Sequence, residues 1–133
     1  MAQPSQFEVS TQAYWTVTLS QASSIADQLF YIAPEPLEVL EIHEVHGTAG
    51  SDGSAVSATV KKCTGTQALT AGADLIGATK IDLKGTANTV QSPTLTTTTA
   101  DLLMASGDRL SLDVTGTTTA VANMVVTVLV RRV

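Results

Sequence analysis

The chain has 133 residues, of which 44% are hydrophobic, 14% charged and 4% aromatic, and its formal net charge is −5. This length is sufficient for one domain whose core needs neither disulfides nor metal ions. Seven acids precede the first lysine or arginine, Lys61, and this acidic half argues against nucleic acid as a partner, since phosphates require a basic patch.

The beginning of the chain has none of the features of a secretory signal. It reads MAQPSQFE, without a basic start or an apolar run. No stretch approaches the roughly 18 apolar residues of a membrane span. We therefore expect a product that is made and kept in the cytosol, or packaged from it, with no membrane partner. Residues 1–12 are polar, contain Pro4 and show weak periodicity, which predicts an extended N-terminal arm before a single domain at 13–133.

Strand signals dominate the first third of the domain. The whole chain contains 21 threonines, which are β-branched and favour strands. Apolar and polar residues alternate over 13–19, which predicts a half-buried strand. A short apolar strand is predicted at 29–33, where Pro34 and Pro36 stop it.

Residues 37–46 fit either a helix or a strand. Glutamates recur every third residue, and on a helix they would form a like-charged row without lysine partners. The valine, leucine and isoleucine content instead favours a strand with one bulge, which is our prediction. Because residues 47–54 form a glycine- and serine-rich turn, we expect the flanking strands to pair antiparallel over 37–63.

The second half of the chain ends in the most apolar strand. Residues 64–79 read as a loop with one helical turn near 73–76, and another strand begins at 81–83. In the last strand, Val126 and Val128 fill one face, while Val125 and Leu129 make the other almost as apolar. Such a strand requires cover on both sides, at the centre of a sandwich or against another subunit.

About eight short strands separated by turns predict an all-β fold, a jelly-roll-like antiparallel β-sandwich. The mean hydropathy of +0.22, with few charges, indicates that one such sandwich leaves apolar surface uncovered. Uncovered apolar surface commonly marks a subunit interface, so we expect an oligomer.

No catalytic or metal-binding constellation stands out. His43 and His46 point to opposite faces of a strand, so they and Glu41 cannot converge as zinc requires. The single cysteine, Cys63, is predicted to be a small buried hydrophobe, and no nucleophile motif is present. Arg109 is predicted to pair with a neighbouring acid. We expect no enzyme activity, no cofactor and no metal, although histidines beside acids at an interface would make a pH-sensitive contact.

Four segments resemble small accessory virion proteins of tailed bacteriophages, namely the capsid decoration (cement) proteins and the related bases of head fibres. The segments are YIAP at 31–34, VLEIHEVHGTAG at 39–50, IDLKGTANTVQ at 81–91 and ASGDRLSLDVTGT at 105–117. The resemblance implies a jelly-roll-like sandwich, usually a homotrimer, on the capsid exterior where major capsid subunits meet. It brings no catalytic residue with it.

The resulting hypothesis is a structural virion protein, made in the host cytoplasm, whose partners are its own copies and the major capsid protein. Apolar burial would supply the binding free energy, and the acidic half would select the orientation. The alternative is a receptor- or carbohydrate-binding module of a tail fibre or baseplate, which needs an aromatic-lined pocket. The candidate interface residues are Glu35, Glu38, Glu41, His43, Glu44, Arg131 and Arg132.

Overall fold

Two antiparallel sheets pack face to face in the computed structural model, which describes residues 13–133. The arm predicted at 1–12 lies outside the described residues. The strands of the described part are β1 (Tyr14–Gln21), β2 (Gln28–Ile32), β3 (Leu37–Thr48), β4 (Ser57–Cys63), β5 (Ala73–Asp74), β6 (Ile81–Asp82), β7 (Leu103–Met104), β8 (Arg109–Thr115) and β9 (Ala122–Arg132).

The strand order is that of a jelly roll, which confirms the predicted fold class. Sheet A has the order β1-β9-β3-β7, and sheet B has the order β2-β8-β4-β5, with β6 also paired to β4. The first four strands alternate between the two sheets, and β5 then lies beside β4 in sheet B. This wrapping places the first and last strands side by side at one edge of sheet A.

The core lies between the sheets and is built from aliphatic side chains. β9 is an interior strand between β1 and β3, and its residues Val126, Val128 and Val130 are completely buried. From sheet B, Val60, Leu110 and Leu112 face them and are equally buried. The central position predicted for the last strand is therefore confirmed.

β3 is a strand of 12 residues with one bulge, as predicted. Its pairing with β9 shifts register between Val39 and Glu41. A bulge inserts one residue and reverses which side chains face inwards beyond it. Val39 faces the core before the bulge, and Ile42 faces it afterwards.

Two predictions about the middle of the chain were wrong. β3 and β4 do not form a hairpin but lie in opposite sheets. The turn after β3 crosses the end of the sandwich, where Gly50 N donates to Leu83 O (2.9 Å) and Ser51 N donates to Thr119 O (3.0 Å). Residues 73–74 form the strand β5 rather than a helical turn, because they pair with β4.

Within residues 13–133, no helix is long and apolar enough to cross a membrane.

Candidate interface on the outer face of sheet A

The outer face of sheet A is formed by four rows of side chains that run across β1, β9 and β3. Every one of these side chains is half-buried or exposed. In order along the sheet, the rows are Ser20–Val125–Val45, Thr18–Thr127–His43, Thr16–Leu129–Glu41 and Tyr14–Arg131–Glu38. The face is thus aliphatic at one end and charged at the other, with hydroxyl groups along its β1 side.

At the apolar end, Val45 and Val125 are direct cross-strand partners and line a shallow depression of about 210 Å³. Val90, whose side chain is 62% exposed, forms the rim of this depression. Beside it, His43 Nδ1 lies 2.8 Å from Ser92 Oγ, and His43 Nε2 lies 3.2 Å from Glu41 Oε1. His43 therefore joins the apolar end to the acidic side of the face.

At the charged end, arginines of β9 neutralise two of the predicted acids. The Arg131 guanidinium pairs with Glu38, its cross-strand partner. Arg132 donates twice to Glu35, from Nε to Oε1 at 2.6 Å and from Nη2 to Oε2 at 3.1 Å. Bidentate pairing fixes the guanidinium plane, and the Arg132 Cζ atom lies over the Trp15 ring, 5.7 Å from its centre.

The outer face of sheet B, in contrast, is covered in part by the chain itself, over β4 and β8, while β2 stays exposed at its edge. Residues 64–72 form a loop over it, and side chains of β4 and β8 hold the loop by its carbonyl oxygens. Ser111 Oγ donates to Leu69 O (2.7 Å) and Lys61 Nζ to Thr70 O (2.8 Å). Arg109 donates to the carbonyls of residues 65 and 67 and has no ion pair with an acid of residues 13–133, so its predicted pairing was wrong for the part that the structure describes. Cys63 lies beneath the loop and is completely buried, as predicted.

Glu44 and His46 point inwards from β3, beyond the bulge, and form a buried acid–base pair. His46 Nδ1 lies 2.7 Å from Glu44 Oε1, and both side chains are 0% exposed. His46 Nε2 lies 2.9 Å from Gly85 O. Gln91 completes the network, since its Nε2 donates to Glu44 Oε2 (2.9 Å) and to Asp82 O (2.8 Å). The network fastens residues 82–91 to β3.

The geometry of this pair requires a shared proton. Each ring nitrogen of His46 faces an oxygen atom, Nδ1 that of Glu44 and Nε2 that of Gly85. A neutral imidazole has one N–H and an ionised carboxylate has no O–H, so together they can donate only one of the two hydrogen bonds. Both bonds form only if the pair carries one additional proton. Burial raises the pKa of Glu44, and hydrogen bonds from His46 and Gln91 offset only part of that rise. Burial lowers the pKa of His46, but its bonds to Gly85 and Glu44 outweigh this and leave the pKa raised. The pair therefore holds its proton more tightly than the separate groups would.

The seven residues predicted for the interface fall into three groups. Four lie on the outer face of sheet A: Glu38, Glu41, His43 and Arg131. Glu35 and Arg132 lie together at the end of the sandwich. The seventh, Glu44, is 1% exposed and belongs to the buried network, because the bulge turns it inwards.

The sequence predicted the apolar outer side of the last strand, with Val125 and Leu129, but not Val45 beside it or the buried network. The outward direction of Val45 depends on the bulge that shifts the register of β3. Gln91 gave no signal at all, because it lies 47 residues from Glu44 in the chain. Among residues 13–133, no group of three or more histidine, cysteine, aspartate or glutamate side chains is arranged to hold a metal ion.

No protein-family model matches the chain, and no curated protein matches it. Among solved structures, the chain is similar to one in the structure of the Gx strain of infectious bursal disease virus, with a TM-score of 0.44 and 13% sequence identity. The alignment covers 90% of this chain and 32% of that viral chain, so the protein spans about a third of the length of the chain it matches.

Proposed function

We propose that this protein is a structural virion protein that binds the outer surface of a tailed-phage capsid and stabilises it. The sequence motifs that resemble decoration proteins supply the class of partner, the major capsid protein. The observation that carries the proposal is the open outer face of sheet A, in contrast to the outer face of sheet B, which residues 64–72 cover over β4 and β8.

The open face has the composition of a contact surface. Val45, Val125 and Leu129 are half-buried within the sheet, and docking would remove the remainder of their surface from water. Complete burial of an aliphatic side chain contributes about 1.5–3 kcal/mol relative to full exposure, so these residues supply a modest affinity per copy. Many copies on one capsid, each bridging neighbouring subunits, would multiply that affinity.

The charged end of the face would set the orientation of docking. Glu41 is exposed beside His43, and the Glu38–Arg131 pair lies in the next row. Charges at the rim of an interface contribute to register and encounter rate more than to affinity. A partner surface with a basic group opposite Glu41 and an aliphatic patch opposite Val125 would match this gradient.

The proposed activity is binding rather than catalysis. Glu44 and His46 have the composition of a general acid–base pair, but their side chains are completely buried. Catalysis requires the base to come within hydrogen-bond reach of a substrate. Glu44 and His46 instead join β3 to residues 82–91, of which Val90 lies at the rim of the face.

Mixing the purified protein with capsids that lack it tests the proposal. We expect co-sedimentation with the capsids at a fixed stoichiometry and an increase in the temperature at which they release their DNA. Protein that stays in the supernatant and leaves capsid stability unchanged would contradict the proposal. The alternative, a receptor- or carbohydrate-binding module, is distinguished by gold-labelled antibody on whole virions, which would mark the tail rather than the head.

A further inference from the structure

β1 is the least protected edge strand in the part of the chain that the structure describes. Proteins keep edge strands from pairing with other chains by making them short, by bulges, or by charged residues and prolines. β5 and β7 have only two residues each, and β2 has a bulge between Leu29 and Tyr31. β1, in contrast, has eight residues, pairs with β9 without a register shift and contains neither a charged residue nor a proline. This edge is therefore suited to accept another strand.

Alternate residues of β1 direct their backbone groups away from β9. Arg132 N donates to Ala13 O (2.8 Å), so Ala13 and every second residue after it face β9. The N–H and C=O groups of Thr16, Thr18 and Ser20 therefore point to the other side of the strand. Within residues 13–133, β1 has no strand partner other than β9.

Aromatic residues also concentrate on this side of the sandwich. Within residues 13–133, all of them lie on the two neighbouring edge strands β1 and β2, and none is completely buried: Tyr14, Trp15, Phe30 and Tyr31. Trp15 Nε1 donates to Tyr31 Oη (3.2 Å) and so joins the two edges. Aromatic residues are enriched at protein–protein interfaces relative to the rest of the surface. Their position is a second indication, independent of the strand edge, that this side meets another protein chain.

We propose that β1 pairs with β1 of a second copy, antiparallel across a two-fold axis, so that sheet A continues from one chain into the other. Each chain has a net charge of −5, and two such chains repel each other. They can approach most closely where neither presents a charged side chain, and β1 has none. A two-fold interface uses the same surface on both copies, so the strand must also be complementary to itself.

The pleat of β1 determines which residues can face each other across the axis. Residues whose backbone groups point to the edge must lie opposite residues of the same kind. With Val17 on the axis, Thr16 of each copy lies opposite Thr18 of the other. Threonine pairs at cross-strand positions stabilise a sheet. Both threonines are exposed on the outer face of sheet A, while Val17 is buried on the inner face.

This pairing joins the outer faces of two copies of sheet A into one surface. The pair consists of two chains, rather than the three that the resemblance to decoration proteins implies. It forms from the protein alone and does not depend on capsid binding. If the same face also binds capsids, each pair docks two faces at once, which raises its affinity.

The test uses the purified full-length protein alone, at neutral pH and moderate salt. In the like-charge variant, Thr16→Lys with Thr18→Lys, equal charges lie opposite each other across the axis. In the matched opposite-charge variant, Thr16→Lys with Thr18→Glu, each lysine lies opposite a glutamate. The like-charge variant has the smaller net charge of the wild type and itself, so general repulsion between chains cannot explain a loss of pairing. Circular dichroism and thermal unfolding check that both variants are folded.

Native mass gives the first result. We expect the wild type and the opposite-charge variant to have twice the 13.8 kDa mass of one chain, and the like-charge variant to have the mass of one chain. A wild type with the mass of one chain or of three chains would overturn the proposal. So would a like-charge variant that stays paired, or a folded opposite-charge variant that does not pair.

Amide hydrogen exchange locates the contact. The backbone N–H groups at positions 16 and 18 point away from β9, so in a single chain β9 does not protect them. We expect both amides to be protected in the wild type and to exchange rapidly in the folded like-charge variant. A paired wild type in which both amides exchange rapidly would place the contact elsewhere and contradict the proposal.

Discussion

The side chains of Glu44 and His46 are joined inside the sandwich, with Oε1 and Nδ1 2.7 Å apart and neither residue in contact with solvent. The two residues lie on the same side of β3, and through Gly85 and Gln91 they hold residues 82–91 against it. Val90, at the rim of the open face, belongs to this segment. The buried pair thus supports the surface that we propose for docking.

The shared proton makes folding stability depend on pH. The pKa of His46 is raised in the folded protein above its ordinary value of 6.5, so the native state keeps a proton that the unfolded chain releases. The contribution is therefore fully present below about pH 6.5 and is lost as the pH rises towards the folded-state pKa. We expect the free energy of unfolding in urea to fall there by up to about 1.4 kcal/mol per pH unit.

Two variants assign this slope to the buried pair. The double variant Glu44→Gln, His46→Gln removes both groups that can hold the proton, and we expect the slope above pH 6.5 to disappear together with part of the stability. His43→Gln removes the other histidine, on the outer face, and should retain the slope. A slope that survives in the double variant would show that the proton is held outside this pair.

Among the residues of 82–91 that are not fully buried, we expect Gln91 to contribute most to the free energy of unfolding. Gln91→Ala removes the donor to Glu44 Oε2 and the acceptor of the Asp82 N–H, at 2.9 Å each. Leaving a buried polar group unsatisfied costs about 1–3 kcal/mol, so we expect a loss of this size in urea unfolding. Ser92→Ala removes only a bond at the surface and should change stability by about 0.5 kcal/mol or less. Equal effects of the two variants would contradict the role of the network.

Gly72 tests whether the loop at 64–72 is packed tightly onto sheet B. A Cβ at this position would overlap Lys62 O and lie 2.8 Å from Cys63 Sγ. Gly72→Ala must displace the loop, and we expect a loss of about 1–3 kcal/mol, the usual cost of overpacking. At Gly53 an added Cβ meets nothing within 4 Å, so Gly53→Ala is the matched control. A fully stable Gly72→Ala would mean that the loop is loosely attached.

The sequence was sufficient to predict the fold class and most of the strands, because two-residue alternation is a local signal. β1, β2 and the interior position of β9 follow from it directly. The partners of β3 and β4 do not, since jelly-roll pairing joins strands that are far apart in the chain. A glycine-rich turn between two strands indicates a hairpin, but here it crosses from one sheet to the other.

The candidate site shows the same division between local and long-range information. The charged residues of β3 were recognisable, and the opposite directions of His43 and His46 follow from the pleat. The burial of Glu44 was not recognisable, because an acid at that spacing is typical of a solvated face. Its partners Gly85 and Gln91 come from a loop whose position depends on the whole sandwich.

Binding of variants to capsids tests the central claim, that the outer face of sheet A is the docking surface. Val125→Glu places a charge in the apolar part of the face, and Val133→Glu makes the same change at a side chain that is 70% exposed and outside the four rows. Val125→Thr keeps the shape of the side chain and serves as the milder variant, with thermal unfolding as the check on folding. We predict that the affinity for capsids, measured by co-sedimentation, falls about 10- to 100-fold for Val125→Glu, where each tenfold corresponds to about 1.4 kcal/mol. The loss should be smaller for Val125→Thr, and Val133→Glu should bind like the wild type. Folded Val125 variants that bind capsids as tightly as the wild type would contradict the account.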